Sequence, residues 1–343
     1  MSFAVPPRMQ AMVIERYGGP DVVERREIEV PAPGVGEALV EVACAGINFM
    51  DVHTRQGKYA TSRTYPVRLP CTLGMEGAGT VVRTGPGVTR VAPGDRVGWC
   101  ISWGAYAQYA SVPQARLARL PAGIGFDQAA ASLFQGSTAH YLVHDVAQLA
   151  PGMSCLVHAA AGSIGQILVQ LARRQGVTVF ATASTPEKRA QVSALGADHV
   201  LDYDAGRFAD AIRSRTGGHG VDVVFDAVGK ATLRDSLRAT RTRGLVINYG
   251  SVSGSLADLD PIELGEAGSL FLTRPRLADH LADAQTVQRR ADAIFGELLS
   301  GELAIPIAGR YTLDDVLTAH ELLEARRQIG KPVLELPRGN GTA

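Results

Sequence analysis

The hydrophobic positions change rhythm part-way along the chain. From Met153 onward, short apolar runs alternate with helical stretches. SCLVHA (154–159), VTVFATA (177–183), HVLDY (199–203), VDVVFDAVG (221–229) and GLVINYG (244–250) read as buried strands. After the first of these, SIGQILVQLARRQG places Ile164, Ile167, Leu168, Leu171 and Ala172 on one helical face, and Gly176 stands where a left-handed helix end takes glycine. Strands separated by helices predict βαβ units and a parallel sheet.

Over the first 120 or so residues the pattern is different. EALVEVACAG (37–46), GAGTVVRTG (77–85) and DRVGW (95–99) are short β-prone segments, and GPGVTRVAPGDRV (85–97) packs turn residues between such segments. After Gly265 the pattern is mixed: SLFLTRP, a helix over 286–299, a strand near 310–313, a helix over 316–327 and a final KPVLEL. The fold class predicted is α/β, with a doubly wound unit inserted into a β-rich domain made from both chain ends. The expected boundaries are 1–127, 128–265 and 266–343.

A length of 343 residues suits two domains, and 46% hydrophobic against 20% charged residues suits a sizeable core. Lys plus Arg and Asp plus Glu each number 34, so no net field draws in nucleic acid or anionic lipid. The opening MSFAVPPRMQAMVIERYG lacks the order of a signal peptide, and no apolar run approaches a membrane span. Cys44, Cys71, Cys100 and Cys155 are scattered with no CxxC pair. A cytoplasmic protein with reduced thiols and no membrane or nucleic-acid partner is the expectation.

The chemistry begins at HAAAGSIGQILVQLA, where a strand runs into Ala160-x-Gly162-x-x-Gly165 and a helix opens. Glycines allow the tight turn and close approach of backbone to a pyrophosphate, which the helix N-terminus attracts. The second strand ends in ATASTPEKR (181–189), with no acid before Glu187 to bind a ribose hydroxyl. Ser184 and Thr185 are small donors, and Lys188 and Arg189 suit a 2′-phosphate, which favours NADPH over NADH. Thr185 followed by Pro186 also reads as a helix cap, and both readings hold together.

Taken together, GINFMD (46–51), LGMEGAGTV (73–81), APGDRV (92–97), GAYAQY (104–109), HAAAGSIG (158–165), GHGVDVVFDAVG (218–229), GSLFLTRP (268–275) and LEARRQIGK (323–331) resemble the zinc-free quinone oxidoreductase (zeta-crystallin-like) branch of the medium-chain dehydrogenase/reductases almost end to end. The resemblance implies a GroES-like catalytic domain, a Rossmann domain, NADPH in the cleft between them, and a homodimer paired through the GSLFLTRP strand. Zinc-dependent members carry Cys and His where this chain has Asn48 and Met75, and their four-cysteine lobe is missing here. An amide and a thioether are poor zinc ligands, so no metal is expected.

Carried over by position, Ala160, Gly162, Ser163, Ile164 and Gly165 would cradle the phosphates, and Thr138 would help bind the cofactor. Lys188, Tyr203 and Arg326 would hold the adenosine phosphate. Asn248, Tyr249 and Ser251 would line the nicotinamide half, with Lys331 assisting. For Tyr203 and Tyr249 the alternative is strand packing. Asn48 would donate to the acceptor oxygen or orient the nicotinamide, and Gln135 stands where the family often has lysine. His53 replaces a family tyrosine; it would act as the donor and titrate near neutrality, or be a cleft histidine without a role. The resemblance implies an NADPH-dependent quinone reductase. The alternatives are reduction of α,β-unsaturated ketones or aldehydes, and a non-catalytic NADPH- or RNA-binding protein.

Overall fold

The computed structural model describes residues 3–202, 207–325 and 330–337. Two compact units emerge, Met1–Ser137 with Leu281–Ala343, and Thr138–His280. The sheet of the second unit takes in Phe271–Thr273, beyond the 128–265 span expected, because this strand pairs in parallel with Thr240–Asn248.

In the first unit both chain ends share one sheet. Lys331–Glu335 pairs antiparallel with Glu37–Gly46, setting Val333 opposite Gly46 and Leu334 opposite Ala45. Glu37–Gly46 also pairs with Glu76–Thr84, which pairs onward with Arg96–Cys100. The inward side chains, among them Val40, Val42, Leu73, Trp99, Tyr106 and Leu334, make one apolar core, and Cys44 is buried. Asn48 opens a short helix, Phe49–Arg55, that the strand pattern around it hides.

The second unit carries a six-stranded sheet, all parallel. Its order is His199–Asp202, Thr178–Ala183, Ser154–Val157, Val221–Asp226, Thr240–Asn248 and Phe271–Thr273. The chain winds outward in one direction from Ser154–Val157 and then returns to its other side. The carboxyl ends of Ser154–Val157 and Val221–Asp226 therefore form a topological switch point, the place where open α/β sheets bind ligands. The helix Ser163–Arg174 buries Ile167, Leu168, Leu171 and Ala172, and Gly176 takes the left-handed φ of +70° expected of it. Ile164, counted on the apolar face, is only half-buried in the first turn, where Gly165 is buried beside it.

Candidate active site

Four chain segments of the first unit converge on Asn48. Its Oδ1 accepts from Lys331 Nζ at 2.6 Å and from Gln135 Nε2 at 2.7 Å. Its Nδ2 donates to Glu76 Oε2 at 3.1 Å and to the Gly46 carbonyl at 3.2 Å. An amide side chain has two donor hydrogens and two acceptor lone pairs, so all four are used. The side chain is 2% exposed. The role of direct donor to an acceptor oxygen is thus closed to Asn48 by its own neighbours.

Glu76 is fully buried and joins the same cluster. Its Oε2 takes Lys331 Nζ at 2.8 Å, and its Oε1 takes the Phe134 amide at 2.6 Å. Gly46 has no room for a side chain here, because a Cβ would lie 2.4 Å from Glu76 Oε2 and 2.3 Å from the Ala130 carbonyl oxygen. Lys331, expected at the cofactor, is 1% exposed and committed to Glu76 and Asn48. Burial lowers its ammonium pKa, and the Glu76 carboxylate works against that shift.

One turn further on, Asp51 closes the start of the helix Phe49–Arg55. Its Oδ2 accepts the Asn48 amide at 2.9 Å and the Tyr106 hydroxyl at 3.1 Å, while Oδ1 accepts the Met75 amide at 3.0 Å. Burial raises the Asp51 pKa to about 7, against the lowering effect of these hydrogen bonds and of Lys331. His53 lies on the same helix, half-buried. Burial, with Lys58 adding to it, lowers its pKa to about 4, so it is neutral at physiological pH and does not titrate near neutrality. Its ring belongs to a row of aromatic side chains. Phe49 is 6.1 Å away by ring centroid, Tyr59 meets it edge-on at 6.2 Å, and Tyr65 meets Tyr59 edge-on at 5.7 Å.

This donor set does not fit zinc. Met75 is buried with a thioether, Asn48 is saturated, and Glu76 is neutralised by Lys331. The cysteine thiols are buried, and burial pushes those of Cys44 and Cys71 up to about 12. Among the described residues no three His, Cys, Asp or Glu side chains group to hold a metal ion.

In the second unit the residues do fit a dinucleotide. Ala160 is buried and its amide donates to the Thr182 carbonyl at 3.0 Å, while Gly162 caps the helix Ser163–Arg174. A Cβ on Gly165 would lie 2.6 Å from the Ala159 carbonyl oxygen, so glycine alone allows this approach of helix to strand. Ser163, Ile164 and Gly165 form the first turn, where backbone amides and the positive dipole end favour an anion.

Ser184 is exposed at the end of the second strand. Thr185 caps the helix Pro186–Ala194, accepting from the Lys188 amide at 3.3 Å. Arg189 is turned onto Asp202, 3.0 Å away. Asn248, Tyr249 and Ser251 lie half-buried at the end of Thr240–Asn248 and just after it. Asn248 Nδ2 donates to the Gly250 carbonyl at 3.0 Å, and its Oδ1 accepts from Arg274 at 3.0 Å. Thr138 is buried in the helix Phe126–Tyr141. Tyr203 and Arg326 lie outside the described residues.

Sequence reasoning missed what holds this end of the sheet rigid. The buried Asp226 carboxylate accepts the amides of Val228 at 2.8 Å and Gly229 at 2.9 Å, and the hydroxyls of Thr232 and Ser236 at 2.9 Å each. Ser236 Oγ lies 3.1 Å from His158 Nε2, and His158 Nδ1 lies 3.0 Å from Thr182 Oγ1. Since Ser236 donates to Asp226, its oxygen accepts from His158, which assigns the tautomer of the ring. The histidine in HAAAG was the one visible signal, and its partners sit 24 and 78 residues away. Arg274, in the TRP of GSLFLTRP, also went unrecognised; it donates to the Asn248 carbonyl at 2.7 Å.

Known proteins share this plan. Residues 34–122 match the alcohol dehydrogenase GroES-like domain, and residues 163–276 match the zinc-binding dehydrogenase domain. A quinone oxidoreductase of Pseudomonas aeruginosa is 37% identical over 319 residues, covering 93% of this chain and 97% of its own length. A 2-haloacrylate reductase of a Burkholderia species is 36% identical over 333 residues, covering 95% and 98%. The structure of Escherichia coli quinone oxidoreductase complexed with NADPH superimposes with a TM-score of 0.90 at 34% identity, covering 95% of this chain and 99% of that one. The glycine turn at a switch point, the filled polar cluster about Asn48 and these likenesses agree: the chain belongs to the quinone oxidoreductase branch of the medium-chain dehydrogenase/reductase family.

Proposed function

We propose that this protein is an NADPH-dependent reductase of quinones that works without a metal ion. The observation that carries the reading is the row of Phe49, His53, Tyr59 and Tyr65 beside the Asn48 cluster, a half-buried aromatic surface suited to a flat ring. NADPH, when bound, supplies the hydride.

The chain's own residues bind, orient and stabilise. The turn Gly162–Gly165 holds the pyrophosphate, and Lys188 pairs with the 2′-phosphate. Hydride arrival puts negative charge on the acceptor oxygen, which a preorganised donor stabilises. With Asn48 saturated, the neutral imidazole of His53 takes that role. The 2-haloacrylate reductase relative favours a second reading, reduction of an activated carbon–carbon double bond by the same hydride geometry.

A homodimer fits the exposed edge strand Phe271–Thr273, where Phe271 is 61% exposed. No described helix is long and apolar enough to cross a membrane. A cytoplasmic site fits the four free cysteines, and the zero net charge favours no nucleic-acid partner.

A panel of quinones and enones with NADPH or NADH, with and without a chelator, tests the proposal. Turnover of quinones with NADPH, unaffected by chelation, is expected. NADPH binding with no turnover of either acceptor class would mean a binding protein instead.

A further inference from the structure

Glu76 and Lys331 bury two opposite charges where apolar side chains would fill the same space without a desolvation penalty. Such a pair is weak evidence of stabilisation, so its use must be sought in the geometry it specifies. That geometry converges on Asn48. Lys331 and Gln135 both donate to Oδ1, and Glu76 accepts from Nδ2. Turning the amide over would face its NH2 toward two donors, so it has one orientation. The Asn48 backbone amide is held in turn by Asp51, in the first turn of the helix that carries Phe49 and His53.

We propose that Lys331 and Glu76 are positioning residues for the acceptor: by locking Asn48 they fix the start of the helix Phe49–Arg55, and with it Phe49 and His53. This rests on the quinone-reductase reading above. The pair acts through Asn48, never by touching NADPH. Charge alone does not suffice, because three donor–acceptor contacts must meet on one amide. The cationic donor comes from the last strand of the chain, and Gln135 beside it needs no charge of its own.

The experiment uses the full chain with NADPH and 1,4-benzoquinone, and compares Lys331→Met, Lys331→Arg and the charge-free double variant Glu76→Gln/Lys331→Met. The double variant leaves no unpaired buried charge, so it is expected to lose less stability than Lys331→Met, although its new amide sets an NH2 against the Asn48 Nδ2 or the Phe134 amide. Expected are a kcat lower by about tenfold or more in Lys331→Met and in the double variant, with NADPH affinity changed by less than about twofold. Lys331→Arg recovers part of kcat, and the double variant recovers part of the thermal stability lost in Lys331→Met without recovering kcat. Recovery of both in the double variant would reduce the pair to a structural one. Weaker NADPH binding with unchanged kcat at saturation would return Lys331 to the cofactor. If the wild-type protein reduces no quinone or enone, the quinone reading fails on its own. The imidazole resonances of His53 then decide the positioning role: displaced in the double variant they support it, and unmoved they overturn it.

Discussion

Gly165 packs against Ala160 so closely that a Cβ on the glycine would lie 2.7 Å from the Ala160 Cα. Neither atom belongs to a flexible side chain, so the clash is relieved only by moving the helix Ser163–Arg174 away from its strand. Gly165→Ala is expected to lower stability by about 1–3 kcal/mol. It should also weaken NADPH binding by about tenfold or more, since the first-turn amides move with the helix. Gly162→Ala meets only the Ala159 carbonyl oxygen at 3.1 Å and should be milder on both counts. Thermal unfolding and a fluorescence titration with NADPH measure the two effects; equal tolerance of both alanines would refute the packing argument.

The second prediction concerns cofactor choice. Arg189 is engaged with Asp202, 3.0 Å away, and Lys188 is the cation proposed for the 2′-phosphate, so the two should differ. Lys188→Ala should raise the KM for NADPH by about tenfold to a hundredfold, the loss of a charge-assisted contact worth about 1.5–3 kcal/mol, while leaving NADH little changed. Arg189→Ala should do much less. Kinetics with both cofactors separate the outcomes, and an equal loss for NADH would remove Lys188 from the 2′-phosphate.

The division of labour between local and distant sequence explains what was readable in advance. The strands 154–159 and 177–183, the helix between them and the glycine turn are legible because their signals lie within a few residues of one another. The same holds for the Thr185 cap, which the structure bears out with a hydroxyl–amide contact. The Asn48 cluster is not local: Lys331 lies 283 residues from Asn48, and Gln135 lies 87. Composition and periodicity carry nothing about which amide a lysine will meet across a sheet. Asn48 is therefore reached by likeness alone, as a donor to the acceptor oxygen or an orienter of the nicotinamide, and its filled hydrogen-bond positions are legible only in the structure. The titration of His53 is hidden for a related reason, since it depends on burial and on Lys58, not on the histidine itself.

A third prediction follows from that depressed pKa. His53 is neutral above about pH 4, so the shape of the kcat profile between pH 5 and 8 should not depend on it. His53→Phe should lower kcat at every pH in that range by a constant factor of about tenfold to a hundredfold, the worth of one oxyanion donor or somewhat less. An inflection near pH 6.5 in the wild-type profile that vanishes in the variant would contradict the burial. The same group sets an acid limit on stability. Its folded pKa lies below the unfolded 6.5, so its stabilising share is present above pH 6.5 and is lost as pH falls towards about 4.

Asp51 titrates in the opposite sense, and this yields the fourth prediction. Its folded pKa, about 7, lies above the unfolded 3.8, so the folded chain holds the proton more tightly. That contribution is full below about pH 4, declines as pH rises, and is gone above about 7. Asp51→Asn removes it and also sets an NH2 group against one of three donors: the Asn48 amide, the Met75 amide or the Tyr106 hydroxyl. The unpaired donor alone should cost about 1–3 kcal/mol at any pH. The difference in stability between wild type and Asp51→Asn should therefore be largest near pH 4 to 5, shrink towards pH 7 and level off at the hydrogen-bond cost. Denaturant unfolding at stepped pH reads it, and a difference that grows with pH would invert the assignment.

The last prediction concerns the open edge of the parallel sheet. Phe271–Thr273 pairs on one side with Thr240–Asn248 and stands at the end of the strand order. An edge strand presents unpaired amides and carbonyls to whatever approaches, and proteins that stay monomeric blunt such edges with charge, proline or a bulge. Here the strand sequence is Phe-Leu-Thr, and Phe271 is 61% exposed. Proline arrives only at Pro275, after the strand has ended, so the edge itself is left unguarded. A second copy of the chain, adding its own strand across a two-fold axis, would cover both edges at once. Phe271→Lys places a charge where the two strands would meet. It should shift a dimer to monomer in sedimentation velocity without lowering thermal stability beyond what loss of the interface explains. A wild-type chain that sediments as a monomer at micromolar concentration would leave the edge strand unpaired in solution and defeat the dimer reading.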